Sequence, residues 1–278
     1  MGCEMKKWAL RFLISALIEF LPVISPAIVN RQPGARSAAL SSATVALPGI
    51  ESVFHNPAGI TSLKHTSVTL YYESLFLLKE FPLMACGVII PTNSGSFGFG
   101  FQRLGNTIYQ EGKAKIAYSK TLGDHIYAGI GFDYLYEKMP ENRDLSSAFT
   151  VEGGVMGCIS EQLMAGVFIF NPVQAKMNSP GGKTEIPPGG EAGFAWFPHS
   201  TLVLCGELEK VRNQPARVRT GVEYTPDEAI SFRCGVYGAP LTFSMGSGFQ
   251  FRRFRFDIAF SYHDALGLTP RAGISWIP

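Results

Sequence analysis

The side chains able to do chemistry are few and scattered. The five histidines, His55, His65, His125, His199 and His263, show no HxxxH or HExxH spacing, and none sits in a recognisable serine, histidine and aspartate arrangement. Two adjoin aspartates, Asp124 beside His125 and Asp264 beside His263, at the ends of strand-like segments, where such pairs ordinarily solvate a turn. Cys86, Cys158, Cys205 and Cys234 show neither a CxxC nor a Cys/His spacing for a metal. Three lie inside apolar strand patterns and Cys158 at a strand end, a placement that suits small apolar filler better than a disulfide pair. Gly153-Gly154 and Gly246-Ser247-Gly248 fall within strands, so they relieve crowding there and do not form a phosphate loop. The expectation is no enzyme, no metal site and no cofactor.

The titratable residues that do recur in a pattern are charges. Lys113, Lys115, Arg217, Arg219, Arg233, Arg253, Arg255 and Arg271 alternate along the chain with apolar residues, as do Asp133, Glu137, Glu152, Glu191, Glu207, Glu209, Glu223 and Asp257, eight of each sign. The opposite parity is apolar: Ile126, Ala128, Ile130, Phe132, Tyr134 and Tyr136 in one segment, Phe254, Phe256, Ile258, Phe260 and Tyr262 in another. Period two is the signature of strands with one apolar face. It predicts strands at 66-74, 81-91, 95-104, 111-121, 124-138, 147-158, 161-170, 189-198, 200-210, 215-225, 228-238, 241-251, 253-263 and 269-277, fourteen in all. Their lengths match the roughly 9 to 11 residues of a tilted membrane strand. Tight turns such as Asn93-Ser94-Gly95 and Leu122-Gly123-Asp124 follow the even strands, and connections such as Gly105 to Gln110, Pro140 to Leu145 and Asn171 to Pro188 follow the odd ones. Even strand number with short turns at one end and longer loops at the other is the organisation of an outer-membrane barrel.

A soluble sandwich has the same alternation with its apolar face turned inward. Aromatic placement favours lipid. Tyr118, Trp196, Tyr224, Phe251 and Trp276 fall near the turn end, and Tyr71, Phe101, Tyr134, Tyr136 and Tyr262 near the loop end, as two interfacial girdles would. The charged face is then a lumen, and its balance of signs predicts a salt-bridged interior in place of an ion-selective pore. Ile130 and Phe256 are assigned to lipid and Ser119 to the lumen, so an introduced arginine should be tolerated better at Ser119.

Composition agrees with this reading. Charged residues make up 17% of the 278, against roughly 25% in soluble proteins, and aromatics reach 12%. Net charge is +2, which gives no case for nucleic acid. Lys6, Lys7 and Arg11 precede an apolar run from Phe12 to Ile24, followed by Ser25-Pro26-Ala27, which predicts a secretory leader at 1-27 with cleavage near Ala27. The run is too short for a spanning helix of about 20 residues.

Residues 28-65, between this leader and a barrel at 66-278, break the pattern. Gly34-Ala35-Arg36 leads through a small-residue run to Asn56-Pro57-Ala58-Gly59. Asn before Pro is biased to extended backbone, Pro fixes the next φ and Gly59 tolerates what the turn then needs, so the four residues make a rigid corner. This arrangement resembles the FadL-like superfamily of outer-membrane proteins, and within it is most similar to the PorV and PorQ group of type IX secretion. The resemblance implies a fourteen-strand transmembrane antiparallel barrel whose N-terminal segment is a hatch plugging the lumen, with Asn56, Pro57 and Ala58 in the hatch motif. It departs from the group's pattern at Leu40-Ser41-Ser42, at Gly49-Ile50-Glu51 and in its Trp276-Ile277-Pro278 end.

The function implied by the resemblance is a component of type IX protein secretion in a Gram-negative outer membrane, with lipid around it and secretion-machine subunits or exported cargo on the loop 171-188. The alternative is a FadL-like transporter of hydrophobic small molecules, and a third reading is a structural envelope protein. Lumen residues just above the hatch discriminate: an apolar cluster favours transport, a salt-bridged plug the scaffold.

Overall fold

An extended chain turns successive side chains to opposite faces, so each period-two segment can bury one face and give the other to lipid. A computed structural model describes residues 31-138, 145-179, 182-238, 241-264 and 266-278. The expected leader and most of the loop from Pro140 lie outside the described residues. The chain forms β1 (Ser67–Ser74), β2 (Pro82–Thr92), β3 (Gly95–Gly105), β4 (Gln110–Leu122), β5 (Ile126–Lys138), β6 (Ser146–Ser160), β7 (Leu163–Phe170), β8 (Lys176–Ser179) and β9 (Gly182–Glu185). It continues with β10 (Gly189–His199), β11 (Leu202–Val211), β12 (Arg217–Asp227), β13 (Ile230–Tyr237), β14 (Thr242–Phe251), β15 (Phe254–His263) and β16 (Gly267–Trp276).

Fourteen of these sixteen strands close into an antiparallel ring. β1 meets β16, with Val68 opposite Trp276, and β7 pairs directly with β10. The short hairpin β8-β9 stands apart from the ring, joined to β6 where Ser147 faces Asn178. This hairpin lies inside the expected loop 171-188 and is, among the described residues, the one pair of strands that periodicity does not reveal, because four residues are too few to show a pattern. The connections at one end of the barrel are two or three residues long, and at the other they range from three residues to the eighteen of 171-188.

The two faces follow the parity. Ile116, Ile130, Phe132, Val218, Phe256 and Ile258 are exposed on the outside, while Lys115, Asp133, Glu152, Arg219, Glu223 and Arg233 are buried in the lumen. Trp196, Tyr224 and Phe251 are outward at the turn end and Phe101 and Tyr262 at the loop end. Three expectations need correction. Tyr71 faces the lumen at 5% exposure and gives its hydroxyl to Glu73, and its neighbour Tyr72, 47% exposed, is the outward aromatic. Arg253 is not lumenal: the β14-β15 hairpin turns through Arg252 and Arg253, with Phe251 paired to Phe254, so Arg253 is an exposed turn residue. Ser119 is lumenal but fully buried, donating to Ala58 O at 3.1 Å, so arginine there would displace residues 58-61.

A ring of fourteen strands encloses more space than its own inward side chains fill. The segment from residue 33 to residue 63 occupies it, with the helix α1 (Ala35–Ala39) and two 3-10 turns, Ile50–Val53 and Pro57–Ser62. Its apolar residues pack on two stretches of wall. Ile50, Val53, Phe54 and Ile60 meet Leu83, Ala85, Ile89 and Leu104 of β2 and β3, and Leu40, Val45 and Leu47 meet Phe168, Phe170, Ala195 and Val203 of β7, β10 and β11. Met177 of β8 and Ile186, just after β9, pack on lumenal Leu135 and Ala148, so the hairpin covers part of the loop end. Arginine replacing Ile130 or Ile258 should cost about 2 to 4 kcal/mol in urea unfolding from lipid vesicles, whereas Asn93→Arg, on an exposed turn, should change it by under about 0.5 kcal/mol.

Candidate functional site

The lumen segment is held by bonds that begin at its first residues. Gly34 has φ 149°, and a Cβ there would come within 2.3 Å of the Glu51 carboxylate. That close approach lets Glu51 accept from Arg36 N at 3.1 Å, Ser37 N at 2.9 Å and the Ser37 hydroxyl at 2.6 Å, so a side chain fifteen residues away satisfies the free N–H groups that open α1. Burial, with Asp257 nearby, pushes the Glu51 carboxyl up, and the Ser37 bonds oppose it.

Arg36 leaves α1 as a fork. Its Nε donates to Glu223 Oε2 at 2.8 Å and its Nη2 to Oε1 at 2.6 Å. Two parallel charge-assisted bonds of this kind fix geometry as well as energy. Burial alone would lower the Arg36 pKa, but Glu223 beside it holds it above its ordinary value. Glu223 is also paired with Arg233, which reaches Asp257 at 2.8 Å, and Arg255 completes the cluster at 3.0 Å from Asp257. The wall strands β12, β13 and β15 are thus tied to α1 through one carboxylate.

The expected lumenal charges sort into two further clusters. Lys113 lies 3.1 Å from Asp133 and 3.2 Å from Glu152, and Lys115 also pairs with Glu152. Arg219 meets Glu207 and Glu209 at 2.8 Å and Glu191 at 3.4 Å, while Arg217 comes only within 3.8 Å of Glu209. Both clusters also grip the central segment: Lys115 Nζ lies 3.5 Å from His55 O, and Glu207 accepts from Val45 N at 2.8 Å. Pairing follows strand adjacency, which sequence alone does not supply.

Asn56 caps the turn Pro57–Ser62. Its Oδ1 accepts from Ala58 N at 3.1 Å and its Nδ2 donates to Val45 O at 2.8 Å, and Pro57 stands at the first helical position, where no N–H is missed. The motif is seated against two wall glycines. A Cβ on Gly154 would lie 1.9 Å from Asn56 Oδ1, and one on Gly129 would lie 2.6 Å from Ala58 N. Of the Gly153-Gly154 pair, Gly154 therefore relieves crowding toward the hatch itself, while a Cβ on Gly153 would meet only Gly129 O at 3.7 Å. Gly59 is buried beside Ser52, and Thr61 shares a 2.7 Å hydroxyl bond with Ser119. His55 is buried and neutral: its Nε2 donates to Pro33 O at 3.1 Å, so its Nδ1 accepts from the Thr44 hydroxyl at 3.2 Å. Burial, helped by Lys115 and Arg219, pushes its pKa down to about 3.

Space remains on both sides of this plug. At the loop end a cavity of about 300 Å³ is lined by Arg31, Gln32, Glu73, Glu209, Arg217 and Arg271 among others. At the turn end one of about 280 Å³ touches Leu47, Pro48, Ile50 and Leu63 together with Arg36 and Arg255, and a smaller one of about 90 Å³ is lined by Pro48, Ala58, Tyr127, Met156, Cys158 and Met164. The four cysteines after residue 80 are unpaired, with Cys205 in the apolar contact beneath Leu40 and Cys86 and Cys234 facing outward. Arg31, Glu51 and Glu73 carry part of the arrangement and were not legible as site residues. Glu73 shares parity with Ser67, Thr69 and Tyr71, the one signal that would have found it.

A closed fourteen-strand antiparallel barrel with its lumen filled by an N-terminal segment is the class the fold defines. Solved structures share the barrel fold. The Pseudomonas putida toluene transporter TodX aligns with TM-score 0.67 at 10% identity, over 92% of this chain and 98% of that one. The Ralstonia pickettii toluene transporter TbuX aligns with TM-score 0.64 at 11% identity, over 88% and 97%, and a Pseudomonas aeruginosa FadL homologue with 0.66 at 10%, over 90% and 99%. No family model matches the chain, and no curated protein matches it in sequence. At these identities the likeness establishes the FadL-like barrel fold and does not reach the narrower PorV and PorQ grouping.

Two outcomes follow for the hatch. Gly154→Ala should expose residues 44-60 to amide exchange or protease while the barrel keeps its strand signal, because the added carbon has no room beside Asn56. With a folded-state pKa near 3 against about 6.5 when exposed, His55 binds a proton more readily in the opened hatch. Its contribution is complete above pH 6.5 and is lost as pH falls toward 3, about 2 kcal/mol by pH 5. Exchange of the 44-60 amides, corrected for intrinsic rate, should therefore accelerate between pH 7.5 and 5, and His55→Gln should flatten that dependence.

Proposed function

We propose that this protein is a non-catalytic barrel of a Gram-negative outer membrane, exported through its leader, that admits small hydrophobic molecules past a closed hatch. The observation that carries this reading is apolar room inside the lumen. The pocket between Pro48, Ala58, Tyr127, Met156, Cys158 and Met164 borders the larger turn-end cavity, with which it shares Pro48 and Ser62. Apart from the hydroxyls of Ser62 and Tyr127, its lining is thioether, thiol, aromatic ring and aliphatic carbon, which suits a ligand with few hydrogen-bonding groups. The toluene transporters of the same fold support that choice of cargo, and the outward apolar band with its aromatic borders supports the membrane setting.

A second reading has a specific observation in its favour. The cavity just above the hatch is lined by arginine and glutamate, and the hatch below it is salt-bridged, which suits a closed scaffold of the PorV and PorQ kind. In that reading the β8-β9 hairpin at the loop rim is the contact for secretion-machine subunits or exported cargo.

Purification of the tagged barrel from native outer membranes, with bound proteins and bound small molecules both identified by mass spectrometry, separates the two. Hydrophobic compounds without protein partners are the expected result. Recovery of secretion subunits or cargo at matching amounts would replace transport with the scaffold, and recovery of the chain in the soluble fraction would overturn both.

A further inference from the structure

We propose that a recess at the turn end of the lumen is a binding site for a soft monovalent metal ion, Cu(I), held by the Cys158 thiolate and the thioethers of Met156 and Met164. No spacing in the sequence marks these residues, because they meet only when a hairpin folds. Cys158 and Met164 stand opposite each other on β6 and β7, and Met156 shares the lumenal parity of Cys158 two residues before it. Opposed residues of an antiparallel pair hold their Cβ atoms roughly 4.5 to 5.5 Å apart on one face. All three side chains line one cavity of about 90 Å³. A Cβ on Gly59 would lie 3.3 Å from Met156 Sδ, which puts that sulfur at the seam between wall and hatch. Tyr127, opposite Met156 on β5, hydrogen-bonds Cys158 in the same recess.

Size and donor type select the occupant. A volume of about 90 Å³ holds roughly three waters and falls short of the ~150 Å³ cavity that takes benzene, so the recess admits at most one edge of a hydrophobic cargo. An ion fits it. The lining has no carboxylate, imidazole or guanidinium, and its Ser62 hydroxyl already donates to Gly59 O at 2.9 Å. Zinc draws its protein ligands from cysteine, histidine and carboxylate, and calcium and magnesium draw theirs from oxygen, so two thioethers would serve none of them. Thiolate and thioether together select Cu(I). Among the described residues no three His, Cys, Asp or Glu side chains gather to hold a harder metal elsewhere.

Charge points the same way. Binding exchanges the S–H bond of Cys158 for an S–Cu bond, the proton leaves to water through the adjoining turn-end cavity, and no electron moves. One thiolate and one monovalent ion leave the recess neutral, whereas a divalent ion would bury an uncompensated positive charge in an apolar lining. The methionines carry three rotatable bonds each, so their sulfurs can turn onto the ion without a change in the strands. Every donor stands on the wall, on β6 or β7, and the hatch closes the recess from the other side. Holding an ion here needs neither passage nor a cargo, so it stands or falls apart from hydrophobic uptake.

The test is anaerobic competition on the full chain in detergent, with Cu(I) presented as its bicinchoninate complex and Zn(II) as the comparison metal. The barrel should take Cu(I) from the chelator, an equal concentration of Zn(II) should not displace it, and X-ray absorption at the copper edge should show a first shell of three sulfurs. No transfer of Cu(I), displacement by Zn(II), or a shell dominated by nitrogen or oxygen would overturn the proposal, and none of these needs a variant. Met164→Leu keeps the side-chain volume and is checked for folding by the mobility shift between unheated and heated samples. It should weaken Cu(I) at least tenfold, whereas Cys234→Ser, on the outward face, should leave the affinity unchanged. Unchanged affinity in Met164→Leu would reduce the site to a lone thiol, and a matching loss in Cys234→Ser would move it to another one; either result would also overturn the proposal.

Discussion

Charges turned away from water must find partners, and in this barrel the wall cannot supply all of them. An eight-strand barrel is narrow enough for its own side chains to fill, whereas fourteen strands leave a lumen in which inward carboxylates and guanidiniums would face either water or a plug. Residues 33 to 63 are that plug. The Arg36 fork on Glu223 is the contact on which the arrangement turns, because Glu223 also holds Arg233, and Arg233 holds Asp257. Buried pairs of this kind add little net stability over apolar packing, but losing one partner leaves an uncompensated charge. Their effect here is registry: one position of α1 satisfies strands β12, β13 and β15 together.

The same logic explains why the hatch is made of small residues and corners. A segment threading a filled lumen has to approach the wall backbone to backbone in places, and Gly129, Gly166 and Gly235 are where it does, while Gly154 leaves room for the Asn56 side chain. Gly34 plays the matching part inside the hatch by leaving room for Glu51 to cap α1. Apolar contacts around Phe54 on one stretch of wall and Leu40 on another supply burial, and the ion pairs between them set orientation. What remains open is a polar space at the loop end and a more apolar one at the turn end, separated by the plug.

Much of the wall was legible in the sequence. A lipid face is apolar along its whole length, so alternation runs unbroken through β5 and β15 and places their ends within one or two residues. It fails where that condition fails. Tyr71 is amphipathic and reads equally well as an interfacial residue or a lumenal one, and Arg253 continues the parity of Arg255 through a turn where parity has no meaning. The Asn56-Pro57-Ala58-Gly59 corner could be read as rigid from its residue types, but its seat could not, because Gly129 and Gly154 reach it through the ring's curvature. The lumenal charges were found by alternation, while their partners depend on which strands are adjacent and at what register. Glu51 and Glu73 were missed for the same reason: their importance lies in what they meet.

The central claim is that the barrel is shut by a hatch locked through Arg36 and Glu223. Single-channel recording in planar lipid bilayers tests it most directly, comparing the full chain with Arg36→Met. The account predicts no sustained pore-sized conductance for the unaltered protein and frequent openings for the variant. Steady conductance from the unaltered chain, or a variant as closed as its parent, would contradict it.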